Sequence, residues 1–390
     1  MSEFKKQNYL QSFNLIGEVK VNDYTFKIDE SGKNNQDFVY NNMGLNVFCG
    51  EEYGDIYCEM MGGYNCKNPN KIYAHGRNED GTDNFDDKIE VLWEDRNDES
   101  TLKELGDLCF IKVGLETENN KTVEKRFLSS YDAIIYIKDH LKNDMTVNIK
   151  GSLKHSPYNG NTQVKKEIKS IFLSKAEPKD YKATFRQTVL LTPESATVEK
   201  IDKEKRTLYI DAFVLDYVNG YKGTDYKGIV PLPYTYEYLI DIEDMARTKK
   251  QIALMFKVKK DVTEIGFEGK LVEGGRVQKV TYDDLDPDLK DLVDIGVFTE
   301  EEACAKYTDG SKERRMIITK PATRRIEEDG NVKVEISKIE KKYKLDDLVI
   351  DLSEYQNESD TTESDEDLTD DISASDDNDE LDLESLFKDD

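Results

Sequence analysis

One short pattern occurs twice in this 390-residue sequence and restricts its fold more than any other feature. Residues Val147–Leu153 and Ile265–Leu271 both read apolar-x-apolar-x-Gly-x-Leu, with Gly151 and Gly269 lying 118 positions apart. Each copy follows a helix-like segment and a polar turn, which indicates a duplicated domain. A glycine inside an alternating strand marks a bulge or a sharp bend. Such a strand can serve two faces of a small closed barrel, so we expect a β-barrel in each half of the chain.

Period-two alternation, typical of half-buried strands, extends through both halves. It predicts strands at Phe13–Gly17, Tyr24–Ile28, Ile56–Met60, Ile89–Trp93, Phe110–Val113, Val147–Leu153, Phe185–Leu191, Leu208–Val214, Ile265–Leu271 and Arg315–Thr319. Helical patterns are fewer and shorter. They include Ser130–Leu141, with Ser130 as the N-cap, and one or two helices between Asp283 and Tyr307, broken near Gly296. The predicted fold class is therefore mainly β, a β-barrel type with minor helices.

Charge and proline divide the chain into three parts. The segment Ala176–Tyr181 interrupts two strand-like runs, so we expect a first domain at 1–178 and a second at 179–350, with a helical insertion near 283–309. The net charge is −27, but Asp351–Asp390 alone carries 18 Asp and Glu against one Lys. That leaves −10 for the first 350 residues, a mildly acidic body on which local basic faces can lie.

The acidic segment 351–390 contains too little apolar surface to offset the entropy of ordering its backbone, and we expect it to be disordered. Near its end, Leu383, Leu386 and Phe387 stand among acidic residues. This pattern suits docking of an apolar tip into a basic-rimmed groove on a partner protein. The alternative is a tail that only solubilises the protein.

No stretch of the sequence approaches the roughly 20 apolar residues that cross a bilayer, and the N-terminus lacks the apolar core of a signal peptide. We therefore expect a soluble cytoplasmic protein with no membrane partner. Its five cysteines are an odd number without a close-set framework, which favours reduced thiols over disulfides.

Motifs that carry catalysis are missing from the sequence. It contains three His residues and no G-x-S-x-G, P-loop or H-E-x-x-H pattern, so we expect neither an enzyme nor a cofactor. Cys49, Cys58, Cys66 and His75 could supply four metal ligands. No two of the cysteines have the C-x₂₋₄-C spacing usual in structural zinc sites, and no metal is predicted.

An ordered set of motifs in the first half resembles the single-stranded DNA-binding protein family. The motifs are an opening strand at Phe13–Glu18, a polar turn at Lys142–Asp144, the glycine-bent strand Val147–Leu153, a hairpin tip at Tyr158–Gly160 and a final strand at Val164–Leu173. The resemblance implies OB-folds, which are five-stranded Greek-key barrels with a helix between the third and fourth strands. It also implies binding of single-stranded DNA, and an acidic C-terminal tail whose apolar tip recruits replication and recombination proteins.

Two features depart from the bacterial pattern, because each domain is longer than a single-OB protein and two domains share one chain. In this the chain looks more like the replication proteins of phages and mobile elements, whose members include monomers with tandem barrels. If it is phage-encoded, its location would be the host cytoplasm.

Single strands are held by basic grooves and aromatic platforms, which selects the candidate DNA-binding residues. They are Tyr57, Tyr73, Arg77, Trp93, Lys150, Lys154, Tyr158 and Lys166 in the first domain, and Arg186, Tyr209, Phe213, Tyr217, Lys222, Lys270 and Arg315 in the second. Trp93 could equally be a core residue, and Lys165, Lys166 and Lys169 could form a solvated face. Because neighbouring strand residues face opposite sides, at most half of the paired arginines near Met316 can point into one groove.

Three functions remain open on the sequence alone. The leading hypothesis is a sequence-tolerant single-stranded DNA-binding protein of replication or recombination. The second is a protein–protein adaptor or an acidic DNA mimic, and the third is an enzyme without a recognisable motif. Salt-dependent binding of oligo(dT) separates the first from the second, and a closed pocket of converged carboxylates would favour the third.

Overall fold

A computed structural model describes residues 4, 9–32, 36–67, 70–274, 282, 285–305, 313–328 and 331–352. The acidic tail beyond residue 352, with Leu383, Leu386 and Phe387, lies outside the described residues.

Strands dominate the described chain and confirm the prediction of a mainly β protein with a closed barrel. They are β1 (Gln11–Lys20), β2 (Phe26–Ser31), β3 (Phe38–Phe48), β4 (Asp55–Asn65), β5 (Lys71–Arg77), β6 (Asp83–Leu92), β7 (Ile111–Glu118), β8 (Lys121–Phe127), β9 (Thr146–Tyr158), β10 (Asn161–Leu173), β11 (Lys182–Leu191), β12 (Ile201–Asp202), β13 (Thr207–Tyr221), β14 (Thr224–Leu239), β15 (Val262–Gly274), β16 (Glu313–Pro321), β17 (Thr323–Glu328), β18 (Asn331–Ile336) and β19 (Lys338–Tyr343). The helices are α1 (Glu99–Glu104), α2 (Ser130–His140), α3 (Met245–Met255), α4 (Pro287–Asp294) and α5 (Glu300–Ala305).

The first half forms a closed ring of five strands, in the order β1-β3-β4-β10-β9 and back to β1. All neighbours are antiparallel except β4 and β10, which run parallel with Glu59 opposite Glu167. Along the chain, α2 lies between the third and the fourth strand of this ring. The interior is apolar, with Leu15, Leu45 and Ile149 fully buried.

The second half repeats this arrangement. Its ring runs β11-β13-β14-β16-β15 and back to β11, and its one parallel pair, β14 with β16, places Glu237 opposite Ile317. Here α3 lies between the third and the fourth strand, as α2 does in the first ring.

The two glycines of the repeated pattern have the same environment in both rings. A Cβ atom on Gly151 would strike the carbonyl oxygen of Glu167 and come within 2.7 Å of the Phe13 ring. On Gly269 it would strike the carbonyl oxygen of Ile317 and come within 2.5 Å of the Phe185 ring. In each ring the glycine therefore makes room for an aromatic side chain from the first strand against the fourth strand, which explains why the pattern recurs.

The rings are joined edge to edge into one sheet. Strands β1 and β11 pair antiparallel over Gln11–Ile16, and the short 3₁₀-helix Pro178–Asp180 connects the two halves of the chain. A single apolar core cluster includes buried residues of both rings, such as Leu15 and Phe267. The predicted boundary falls at this connection, and the proposed division into 1–178 and 179–350 stays a prediction.

An insertion between β4 and α2 carries β5 to β8 and α1, and β5 and β6 form a separate two-stranded sheet. A small core of Val91, Leu105, Phe110 and Leu128 supports it.

Two predictions about helices have different outcomes in the structure. The N-cap of α2 is Ser129 and not Ser130, because Ser129 keeps an extended backbone and its Oγ accepts the Tyr131 N–H at 3.1 Å. Where one or two helices were predicted between residues 283 and 307, the structure has α4 and α5, with Gly296 at φ +79° between them. Of the described helices, none has both the length and the apolar character that spanning a membrane requires.

Candidate nucleic-acid interface

In the first ring, the outer face of β3 and β4 is aromatic. Alternation directs Met43, Leu45 and Val47 into the core and leaves Tyr40 and Phe48 on the opposite face. Phe38 and Tyr40 stack with their centroids 6.2 Å apart. The same face of β4 presents Tyr57 and Met61, and the Met61 side chain is 55% exposed.

Tyr57 is held flat against its neighbouring strand. A Cβ atom on Gly44 would lie 2.6 Å from the Tyr57 hydroxyl oxygen, so the absence of a side chain there makes room for the ring. The hydroxyl donates to Glu59 Oε2 at 3.4 Å. Burial, followed by the charge of Glu59, raises the pKa of Tyr57, so the ring stays a neutral platform.

Two cations beside this face have carboxylate partners. Lys165 Nζ lies 3.0 Å from Glu59, and Lys20 Nζ lies 2.6 Å from Asp55 while sitting 5.4 Å from the centre of the Phe48 ring.

In the second ring, β13 carries the matching aromatic residues. Tyr209, Phe213 and Tyr217 occur at every fourth position and share one face of the strand, opposite Glu237, Pro233 and Ile229 of β14. Tyr217 is 50% exposed, whereas Tyr209 and Phe213 are half-buried. The structure thus places these three predicted residues together.

A groove separates the tip of the β9–β10 hairpin from the second ring. One cavity of about 380 Å³ lies between Gly160–Thr162 and the β13–β14 pair, and it includes Phe213 in its wall. A second cavity of about 370 Å³ continues from it, shares Thr162 and Tyr234, and is also lined by Arg314 and Met316. Burial raises the pKa of Tyr234 to about 12, and Arg314 is exposed at this groove.

Most of the predicted DNA-contacting cations are engaged with the protein itself. The pairs are Lys154 with Asp216 at 2.7 Å, Lys166 with Glu273, Arg186 with Glu268 at 3.1 Å, Lys270 with Glu52, and Arg315 Nε with Glu237 at 2.8 Å. The hydrogen bond to Glu52 raises the pKa of Lys270. Arg77 donates through Nε to the Leu105 carbonyl oxygen at 2.9 Å. Lys150 is exposed on β9, and Lys222 lies at φ +49° with its Nζ 5.3 Å from the Tyr221 ring centre.

The remaining predicted aromatic residues are spread over the surface. Tyr73 is 77% exposed on the β5–β6 hairpin, and Tyr158 is 62% exposed at the end of β9. Trp93 is half-buried, stacks on Tyr64 at 5.1 Å and has the Arg96 guanidinium 4.2 Å from its ring centre. It therefore belongs to a packed aromatic cluster next to α2.

Sequence reasoning missed four aromatic residues of these surfaces: Phe38, Tyr40, Phe48 and Tyr234. A signal for the first three was present, because the run Phe38–Phe48 alternates and buries Met43, Leu45 and Val47. Reading that run as a strand would have placed all three rings on its outer face.

The four residues considered as metal ligands have different environments. Cys49 and Cys58 are buried in the first ring, where burial raises both pKa values, that of Cys58 to about 12. Cys66 is exposed after β4, and His75 bonds with Asp83 and Cys109. Over the described ranges, no group of three or more His, Cys, Asp or Glu residues is arranged to hold a metal ion.

Comparisons with known proteins give limited matches. The family model described as YorF matches residues 77–264, somewhat less than half of the chain. No relative is found among the curated proteins. Two solved structures of the single-stranded DNA-binding protein from Thermus aquaticus, the wild type and a deletion mutant, are similar at 9% identity, covering 68% of this chain and 87% of theirs with a TM-score of 0.29. Neither a common fold nor a common function follows from a TM-score this low.

Proposed function

We propose that this chain binds single-stranded DNA across the aromatic faces of two OB-type rings. The observation that carries the proposal is the matching position of these faces. In the first ring Tyr40 and Tyr57 lie on the outer face of the second and third strands, and in the second ring Tyr209 and Tyr217 lie on the outer face of the second. The second and third strands are where OB-folds bind oligonucleotides.

Aromatic faces suit a ligand whose bases are bound by stacking, without preference for their sequence. Every base has a π-face, and stacking contributes about 1–3 kcal/mol per base. The groove between the rings, with Tyr234 in its wall and Arg314 at its edge, supplies a path between the two faces.

The paired cations shape the electrostatics of the proposed complex. A phosphate that contacts Lys165 or Arg315 must compete with Glu59 or Glu237. We therefore expect weaker phosphate contacts and a shallower salt dependence than for a protein whose lysines are free. Stacking then supplies the larger share of the affinity.

The finer parts of the proposal rest on sequence. We propose that the protein coats single-stranded DNA during replication or recombination in the cytoplasm of a phage host, as a monomer without catalytic activity. The acidic tail would recruit replication proteins through Leu383, Leu386 and Phe387.

Fluorescence anisotropy with oligo(dT) tests the proposal on the full chain and on residues 1–352. We expect binding at low salt that exceeds binding to duplex DNA of equal length. Tyr217→Ala should weaken it by about 1–3 kcal/mol, while Tyr217→Phe, which keeps the ring, should retain it. Absence of binding by residues 1–352 at low salt would overturn the proposal and favour the adaptor or DNA-mimic hypothesis.

A further inference from the structure

Away from the aromatic faces, three side chains with complementary chemistry meet beside the β5–β6 hairpin. His75 lies near the end of β5, Asp83 begins β6, and Cys109 closes the 3₁₀-helix Asp107–Cys109. His75 Nδ1 lies 3.3 Å from Cys109 Sγ, and His75 Nε2 lies 2.7 Å from Asp83 Oδ1. A thiol, an imidazole and a carboxylate thus form one continuous line of hydrogen bonds.

Asp83 is fixed as the carboxylate end of this line. Its Oδ1 accepts the backbone N–H of Leu108 at 2.9 Å. That hydrogen bond, together with His75 and the charge of Lys112, lowers the pKa of Asp83. A carboxylate at Nε2 keeps the imidazole proton on that nitrogen, which leaves Nδ1 facing the thiol as a proton acceptor.

The thiol end is half-buried and packs against the small core of the insertion. The Cys109 sulfur lies 3.4 Å from both the backbone N–H and the carbonyl oxygen of His75, so a thiolate there keeps the N–H as a donor. Two exposed apolar side chains flank the site: Phe85, whose ring centre is 4.5 Å from that of His75, and Leu108. They provide a surface for the organic part of a small reactant.

Gly106 leaves the space that this arrangement needs. A Cβ atom at this position would strike Asp83 Oδ1 and come within 2.7 Å of His75 Nε2. The backbone N–H of Gly106 also holds the His75 carbonyl oxygen at 2.8 Å. Since the thiol and the carboxylate approach different ring nitrogens, the imidazole separates them and the three groups do not surround a common ion.

We propose that Cys109 is a covalent modification site that reacts with the disulfide of a low-molecular-weight thiol. The Cys109 proton moves to His75 Nδ1, and the resulting thiolate attacks one sulfur of the reactant R–S–S–R. The Cys109–S–S–R bond forms as the original S–S bond breaks, and the leaving R–S⁻ takes the proton from His75. The reaction is stoichiometric, needs no further oxidant, and does not depend on DNA binding.

The chain provides its own comparison for the reactivity of Cys109. Cys66 is exposed and Cys109 only partly so, which means that accessibility alone would make Cys66 the faster thiol. Cys49 and Cys58 are buried with raised pKa values and should react only after unfolding.

The test uses the full-length reduced protein with dithiodipyridine and, separately, oxidised glutathione, in mildly acidic buffer where an ordinary thiol is nearly all protonated. Adducts are located by peptide mass mapping, and Cys109→Ser and Cys66→Ser assign the kinetic phases. We expect Cys109 to react at least about ten-fold faster than Cys66 with both reagents. A Cys109 rate equal to or below that of Cys66 in the wild-type protein would overturn the proposal.

Two variants test the role of the neighbouring groups. His75→Gln should bring the Cys109 rate down to that of Cys66, and Asp83→Asn should lower it by a smaller factor. Labelling of Cys49 and Cys58 reports any unfolding of a variant. If His75→Gln unfolds, the Cys109 rate of the milder Asp83→Asn is compared with that of the wild-type protein. An unchanged Cys109 rate in a folded variant would show that the imidazole does not activate the thiol.

Discussion

At the scale of single residues, the least expected feature is a charged pair enclosed between the two rings. Lys166 of β10 and Glu273 of β15 are both buried and bond to each other, and Glu273 Oε2 also accepts the backbone N–H of Tyr57 at 3.0 Å. A buried charge that loses its partner retains its desolvation cost without compensation. Lys166 therefore has a structural role, whatever it contributes to phosphate binding.

We expect Lys166→Met to destabilise the protein by about 3–5 kcal/mol, because it leaves Glu273 charged and unpaired. Lys165→Met on the same strand is the matched control, since Lys165 is 45% exposed and its pair with Glu59 should contribute about 1 kcal/mol or less. Urea unfolding of both variants measures the difference. Equal midpoints would mean that the enclosed pair contributes no more than an exposed one.

The repeated glycines lead to a second prediction. Gly269→Ala forces a methyl group against the Ile317 carbonyl oxygen and the Phe185 ring, and we expect a loss of about 1–3 kcal/mol in unfolding free energy. Gly266→Ala in the same strand meets only side-chain atoms, at 3.0 Å or more, and should cost less. Gly151→Ala should behave like Gly269→Ala. If Gly266→Ala were the more harmful change, the close packing at Gly269 would not be the reason for the repeated pattern.

At the scale of elements, local pattern predicted much of the fold. Alternation in the sequence located ten strands, because half-buried strands bury every second residue. The predicted runs overlap β1, β2, β4, β6, β7, β9, β11, β13, β15 and β16. The glycine repeat identified the equivalent strands β9 and β15. Three of the predicted DNA-binding residues, Tyr209, Phe213 and Tyr217, lie together because one strand carries them.

Pairing between distant parts of the chain could not be predicted in the same way. Lys154 of β9 meets Asp216 of β13, and Lys270 of β15 meets Glu52 in the turn between β3 and β4, so each pair joins the two rings. Such contacts depend on strand register and on how β1 joins β11, neither of which is encoded in a local period. Sequence reasoning therefore identified the basic residues but not the carboxylates with which they form ion pairs.

Two other carboxylates give a prediction for the two aromatic faces. Glu59→Gln removes the carboxylate partner of Lys165 in the first ring. Asp211→Asn removes that of Lys200, which lies 2.6 Å from Asp211 in the second ring and also donates to the Glu194 carbonyl oxygen. We expect each change to increase affinity for oligo(dT) by about two- to five-fold at low salt, because a freed cation can pair with phosphate.

Glu177→Gln controls for the loss of one negative charge, because Glu177 pairs with Lys179 at an exposed site in the connection between the rings. This variant should change the affinity less than Glu59→Gln or Asp211→Asn. An equal gain in all three would assign the effect to net charge and not to the faces.

At the scale of the whole molecule, the two rings are connected through polar contacts as well as strand pairing. Asp216 is fully buried and accepts Gln11 Nε2 at 2.8 Å, Lys154 Nζ at 2.7 Å and the backbone N–H of His155 at 2.8 Å. One carboxylate of the second ring thus satisfies three donors of the first. On the proposed function, two aromatic faces joined in this way would act as linked sites, so an oligonucleotide long enough to reach both should bind more tightly than two short ones.

The negative charge of the C-terminal segment leads to the last prediction. Residues 353–390 carry 17 Asp and Glu against one Lys, and a polyanion attached to the body competes with DNA for its cations. We expect deletion of these residues to tighten oligo(dT) binding by about ten-fold at low salt. The gain should shrink as salt increases, because the Debye length falls to roughly 10 Å at 0.1 M.

Replacing Leu386 and Phe387 by Ala keeps the charge, so it should leave DNA affinity unchanged while abolishing recruitment of partner proteins. Equal affinity of the full-length and truncated chains across salt would show that the tail does not compete with DNA, and recruitment by the Ala variant would separate partner binding from the apolar tip.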